Sequence, residues 1–182
     1  MTLEWIRIKG GTCLFGDKAR PVAIADLLCT RTPVTYANLG GPADSAIPVT
    51  GVNHDEASAH ARRLDARLPS STEWEWIASG PTRRRYPWGE TEWTSSLAAL
   101  RPADLRQPVA VGSYPAGATP DGVLDLAGNV WEWTRSVTLG RGAVIRGGSY
   151  ASPPLYAQCT FLNAAPAELR SAGIGFRLVR PA

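Results

Sequence analysis

The chain has 182 residues, 44% of them hydrophobic and 19% charged, with a formal net charge of +3. That is enough for one domain with a sizeable core, expected to span 1–182, and too little for two large ones; the balance excludes a disordered chain. The modest charge gives no reason to expect nucleic acid as a partner, and the absence of 18 successive apolar residues gives none to expect a membrane span.

Eighteen Gly, 15 Pro and 7 Trp point to a loop-rich domain held by aromatic packing rather than a helix bundle. The three cysteines, Cys13, Cys29 and Cys159, form no CxxC pair. Such spacing reads as free or buried thiols in a reducing compartment, so a soluble cytoplasmic protein is expected.

In chain order, Glu4 to Ile8 alternates as a strand does, and Gly10-Gly11 turns the chain toward Thr12–Phe15. Val22 to Cys29 and Val34 to Tyr36 are strand or short-helix candidates, and the Gly/Pro/Ala-rich 38–48 is a loop. Two helices carry capping boxes. One starts at Asn53 with Glu56 three residues on, the other at Ser70 with Glu73 three residues on, ending near Gly80. In the second, Trp74, Ile77 and Ala78 form the stripe expected to be buried. Arg83, Arg84 and Arg85 read as a solvated loop, with docking of an acidic partner or nucleic acid as the lesser alternative. Beyond Gly80 only short strands fit: Val109–Val111, Val130–Trp133, Val144–Arg146 and Phe176–Val179. Two helices followed by a small irregular β region make an α+β fold with small antiparallel sheets.

Between Asp121 and Tyr150, Asp125 and Glu132 stand seven positions apart around a Gly-Asn corner. That arrangement can wrap a backbone loop around a hard cation, which prefers oxygen ligands. The competing reading is that Glu132 accepts hydrogen bonds from loop amides while Trp131 and Trp133 pack.

Six motifs then occur in one order: Pro48-Val49 with Val52, Arg67-Leu-Pro-Ser-Ser-Thr-Glu-Trp-Glu-Trp76, Tyr86-Pro-Trp-Gly89, Gly128-Asn-Val-Trp-Glu-Trp133, Arg146-Gly-Gly-Ser-Tyr150 and Gly175-Phe-Arg177. With the opening Gly10–Gly16 and Pro33-Val-Thr35, this pattern resembles the formylglycine-generating-enzyme family, also called sulfatase-modifying factors, over nearly the whole chain. The resemblance implies an irregular fold related to C-type lectins. It also implies a structural Ca2+ held by Asp125, Gly128, Val130 and Glu132. The family's second calcium site falls in a shortened region where Ser95, Ser96 and Leu97 are poor ligands.

The family's enzyme oxidises a peptidyl cysteine with copper and oxygen, its copper held by two thiolates after R-G-G-S-Y. Those positions are Ser152 and Ala157 here. Soft thiolates select Cu(I), and neither residue supplies one, so copper is not expected. Cys159 lies two residues late among apolar neighbours and reads as a buried thiol; with Ser149, which matches a family active-site position, it is the only weak catalytic candidate. Some relatives use iron held by histidines, often from an additional helical domain. His54 and His60, six apart on a helix, point to different faces and do not suit it.

The stretch Ser149–Gly175 has no helical or alternating period. Family members commonly carry Arg where Gln158 and Leu162 stand. Tyr150, Ser152, Leu155, Tyr156 and Gln158 are therefore the candidate ligand-binding residues of an aromatic-apolar surface for a protein or small-molecule ligand, while Phe161 and Leu162 are read as core. The ending also resembles the variable proteins of diversity-generating retroelements, which display binding residues between R-G-G-S and G-F-R. A calcium-braced binding or accessory domain is the first reading. An enzyme of altered chemistry, tailoring a peptide or small metabolite, is the alternative; a divergent formylglycine-generating oxidase and a diversified binder follow.

Overall fold

The computed structural model describes residues 2–43, 45–138, 140 and 142–182. Strands β1 (Trp5–Ile8), β2 (Gly11–Phe15), β3 (Arg20–Ile24) and β4 (Leu27–Thr30) precede helices α1 (His54–Arg63) and α2 (Ser71–Ser79). After a long turn-rich segment come β5 (Trp131–Val137), β6 (Gly142–Arg146), β7 (Leu162–Pro166), β8 (Ile174–Gly175) and β9 (Val179–Pro181). The architecture is α+β, as the order of elements predicts. Three sheets form: β1-β4-β9, the β2-β3 hairpin, and β7-β6-β5-β8, antiparallel except for the β5–β8 pair.

Both helices begin where their capping boxes place them. The Asn53 side chain accepts from the Glu56 amide at 2.9 Å while Glu56 returns a bond to the Asn53 amide. Ser70 and Glu73 do the same at 3.1 and 2.7 Å, and Glu73 is clamped by both outer nitrogens of Arg67 at 2.7 Å. These bonds satisfy amides that a helix start leaves unpaired. Replacing Ser70 by Ala removes one of them and is expected to cost about 1 kcal/mol, read as a melting temperature lower by roughly 2–4 °C.

The predicted stripe Trp74, Ile77 and Ala78 is fully buried. It packs with Ile8, Cys13, Cys29 and Val179 to fill the space between α2 and strands β1, β2, β4 and β9, whereas Ala57 and Ala61 of α1 face Trp131, Trp133, Phe176 and Leu178. Trp131 and Trp133 of β5 lie in the second of these cores, so Glu132 between them leaves the strand on the opposite face, toward Trp74 of the first.

Four sequence expectations need correction. Val22–Cys29 is two strands, not one element, because Asp26 turns back to accept from the Gly10 amide at 2.8 Å and from Arg7 at 3.0 Å. Val109–Val111 forms no strand: Val109 is taken by the Asn129 side chain and the Val111 amide by Ala46 O at 2.8 Å. Phe176–Val179 is split, since Phe176 O and Leu178 O serve Val34 and Thr30 amides outside any ladder. Strand β7 lies inside the stretch that shows no period. It is an edge strand with Leu162, Asn163 and Ala164 exposed, and Leu162, 44% exposed, is not core. Its edge is blunted by Pro166 and by the Asn163 side chain, which accepts from the Ala164 amide at 2.9 Å.

Candidate functional site

The Gly-Asn corner is built from left-handed residues. Asp125 (φ 55°), Gly128 (φ 72°) and Asn129 (φ 61°) bend the chain sharply. Gly128 has to be glycine, because a Cβ there would stand 2.2 Å from Ala99 O. Asn129 clamps Val109, accepting from its amide at 3.0 Å and donating to its carbonyl at 3.1 Å. Gly128 N donates to Gly147 O at 2.8 Å and Tyr150 N to Asn129 O at 3.0 Å, which ties the corner to the R-G-G-S loop.

Glu132 and Arg177 are both fully buried. Arg177 Nε donates to Glu132 Oε2 and Nη2 to Oε1, each at 2.7 Å, and Trp74 Nε1 donates to Oε2 at 2.7 Å. Arg177 also donates to Thr30 O at 3.1 Å and Leu124 O at 2.8 Å. Burial opposes its charge, but Glu132 beside it overcomes that and holds its pKa above the ordinary value. Sequence reading gave Glu132 hydrogen-bond donors from loop amides; the donors found are Arg177 and Trp74. Arg177 was legible as part of Gly175-Phe-Arg177, and its role could have been found by asking which cation a buried carboxylate must meet.

Asp125 is also buried, its Oδ2 accepting from the Gly112 amide at 2.7 Å. Burial raises its pKa to about 6, with Glu132 adding to the rise and Gly112 and Arg177 opposing it. Among the described residues no cation stands within 4.0 Å of it. A carboxylate offers about four lone pairs, and Glu132 has committed three. Asp125 and Glu132 with the carbonyls of Gly128 and Val130 would offer a ligand only oxygen donors, and Asp125 has no ion pair among the described residues. That suits a hard cation, with Asp125 as the main carboxylate rather than an equal partner of Glu132.

The second part of the site follows β6. Gly147 (φ 93°) and Gly148 (φ 76°) send the chain back under Ser149. Ser149 N donates to Ser152 Oγ at 2.9 Å, and the two hydroxyl oxygens lie 3.3 Å apart. Ser152 and Ala157, at the expected thiolate positions, are both buried. Cys159 is fully buried, its amide bonded to Arg85 O at 2.8 Å and its carbonyl accepting from Arg146 Nη2 at 2.6 Å. Burial pushes its thiol well above the usual range, so it is no thiolate. Two hydroxyls, a methyl and a neutral thiol do not fit Cu(I). The histidines do not fit iron either: His54 Nε2 lies 2.9 Å from Thr134 O with its ring edge-on to Trp133, and His60 stacks on Phe176. Among the described residues no three His, Cys, Asp or Glu gather as a metal group.

Beside Ser149 opens a cleft of about 440 Å3, lined by Trp131, Ser149, Tyr150, Asn163, Leu169 and Ser171 among others, none charged. Of the predicted ligand-binding residues it brings together only Tyr150 and, from the catalytic candidates, Ser149. Leu155 is 55% exposed outside it. Ser152 braces the loop from beneath, and Tyr156 stacks on Phe161 at 4.5 Å with Trp131 tilted against both. Gln158, with its amide oxygen turned to Arg85, accepts at 3.1 and 3.3 Å. Trp131 and Asn163 were missed as cleft residues; exposure on an edge strand leaves no periodic signal in Leu-Asn-Ala-Ala-Pro.

Residues 38–182 match the model of the sulfatase-modifying factor enzyme 1-like domain. Hercynine oxygenase of Mycobacterium tuberculosis is 39% identical over 145 residues, covering 67% of this chain and 33% of that enzyme. The formylglycine-generating enzyme of the same organism is 38% identical over 144 residues, covering 68% of this chain and 48% of that enzyme. The chain thus spans about a third of the one and about half of the other. Among solved structures, Treponema denticola variable protein 1 superposes with a TM-score of 0.81 at 20% identity, over 98% of this chain and 95% of that one, which shows the shared fold. With its ordered motifs, its corner and its R-G-G-S loop matched in this way, the chain belongs to the sulfatase-modifying factor enzyme 1-like family.

Proposed function

We propose that this chain is the substrate-binding domain of a tailoring enzyme whose chemistry differs from cysteine-to-formylglycine oxidation. One observation carries the reading: Ser152 and Ala157 stand where the family resemblance implies thiolates, in a chain whose relatives include a hercynine oxygenase. The substrate is a small molecule or peptide seated in the cleft beside Ser149. There Trp131 supplies an apolar wall, while the Ser149 hydroxyl and the Asn163 amide supply orientation. With no charged side chain in the lining, the part of the ligand bound there is uncharged, because burying a charge without a partner costs several kcal/mol or more. Three free, buried cysteines suit a reducing, cytoplasmic setting. Among the described residues no helix is long and apolar enough to cross a membrane.

Isothermal titration with hercynine and with a cysteine-containing peptide tests this. Saturable heat with either ligand, weakened about threefold or more by Asn163→Leu, is the expected result, since that change removes the orienting amide whatever charge the ligand carries. Heat that Asn163→Leu leaves unchanged, or no heat with either ligand at millimolar concentration, contradicts it.

The second reading is a binding or accessory protein without turnover, favoured by the exposure of Leu155 and Leu162 near the same loop. In the same vein, a calcium ion braces the corner through Asp125, with carbonyls of Gly128 and Val130 and the remaining lone pair of Glu132. Buried charge without an ion pair at Asp125 supports that assignment.

A further inference from the structure

We propose that Arg83, Arg84 and Arg85 form a binding site for a small oxyanion, of the phosphate or sulfate type, separate from the cleft beside Ser149. The tripeptide is a loop, as its composition suggests, with Arg85 exposed and Arg83 and Arg84 half-buried against the backbone. Helix α2 ends at Gly80, and the chain doubles back with the Arg83 amide on Gly80 O at 3.2 Å and the Arg84 amide on Ser79 O at 2.9 Å. Arg83 is left-handed (φ 56°), a conformation that non-glycine residues adopt at a cost. That kink breaks the alternation by which consecutive side chains leave on opposite sides. All three arginines line one cleft of about 350 Å3, completed by Asp17 and Thr160.

Each guanidinium is held in place by only part of its donors. Arg83 Nη2 donates to Gly16 O at 2.7 Å, and its Nε is buried without a partner. Arg84 donates to Ala78 O at 3.0 Å, near the negative end of α2, and to Pro87 O at 3.2 Å. Arg85 lies over the Tyr86 ring, 5.1 Å from its centre, pairs with Glu92 and donates through Nη2 and Nε to the Gln158 amide oxygen, so it is the most committed of the three. A guanidinium has five N–H donors in a fixed fork, so carbonyl anchoring fixes the forks and leaves donors over. Among the described residues neither Arg83 nor Arg84 meets a carboxylate within 4.0 Å. Two unpaired, pre-oriented cations beside a threonine hydroxyl are what a compact tetrahedral anion takes, through paired charge-assisted bonds. An extended polyanion fits less well, because Asp17 lies in the same cleft and Glu90 and Glu92 belong to the loop that follows it.

Calorimetric titration of the whole chain with inorganic phosphate at low ionic strength, with chloride as the comparison ion, tests the proposal. The expected result is one saturable phosphate site, weakened about tenfold or more by Arg83→Gln, and unaffected by Arg106→Gln on an exposed loop. Arg83→Gln also loses the bond to Gly16 O, so Thr160→Val serves as a second variant that keeps every guanidinium and is expected to bind phosphate about threefold or more weakly. Binding that is equal for chloride, equal in both cleft variants, or weakened as much by Arg106→Gln overturns the site; so does the absence of heat up to on the order of 10 mM phosphate.

Discussion

Glu132→Ala is expected to destabilise the protein by about 3–5 kcal/mol, enough to leave a large share of it unfolded at ambient temperature if total stability is ordinary. The substitution strands the fully buried Arg177 guanidinium, which donates two bonds to Glu132, and it also orphans Trp74 Nε1. Neither group has water to turn to. Chemical denaturation of Glu132→Ala, of the single variants Glu132→Gln and Arg177→Met, and of the double variant Glu132→Gln/Arg177→Met provides the check. Because removing both partners removes the stranded charge, the double variant should lose clearly less than the sum of the singles. A loss below about 1 kcal/mol in Glu132→Ala would mean that the ion pair does not hold the two cores together.

Asp125→Asn is expected to act in the opposite direction in the absence of calcium. Burial raises the Asp125 pKa from 3.8 to about 6, so the fold favours the neutral acid. Its contribution is fully present below pH ~3.8 and is lost as pH rises through about 6; above that the ionised carboxylate costs about 3 kcal/mol. An asparagine oxygen can still accept from the Gly112 amide without carrying charge. At pH 8 with chelator, the variant should therefore melt several degrees above the parent, and at pH 4 the gap should close. Added calcium should raise the parent's melting temperature at pH 8 and leave that of the variant unchanged. A variant less stable than the parent at both pH values, or equal calcium effects in the two, would remove Asp125 from the cation site.

What could be read from the sequence follows from how far each interaction reaches along the chain. The Asn53 and Ser70 caps act over three residues, and both helices start where those residues predict. Strands β5 and β6 carry their own apolar pattern. By contrast, β7 is an edge strand made of Leu, Asn, two Ala and Pro, defined by its pairing with β6 rather than by its own preferences. The bond from Arg177 to Glu132 spans 45 residues and that from Trp74 spans 58, so no local signal could announce them. The arginine run was only partly legible, for a related reason. Charge alone suggested a solvated loop, whereas the partners are the carbonyls of Gly16, Ala78 and Pro87, which composition does not reveal.

The site was legible to an uneven degree. Ser152 and Ala157 stand where the resemblance implies thiolates, and the structure buries both. Cys159 is a buried, protonated thiol, as its apolar neighbours indicated. Of the expected ligand-binding residues only Tyr150 lines the cleft: Tyr156 packs into an aromatic group and Gln158 faces Arg85, while the cleft takes its walls from residues such as Trp131 and Asn163.

Titration of the purified chain with Cu(I) against a chromogenic chelator tests the proposed lack of a thiolate pair most directly. The parent protein should bind no stoichiometric copper, and the double variant Ser152→Cys/Ala157→Cys should gain one tightly bound ion per chain, since two thiolates would then occupy the loop. One equivalent of Cu(I) held by the parent, and lost in Cys159→Ser, would contradict the account.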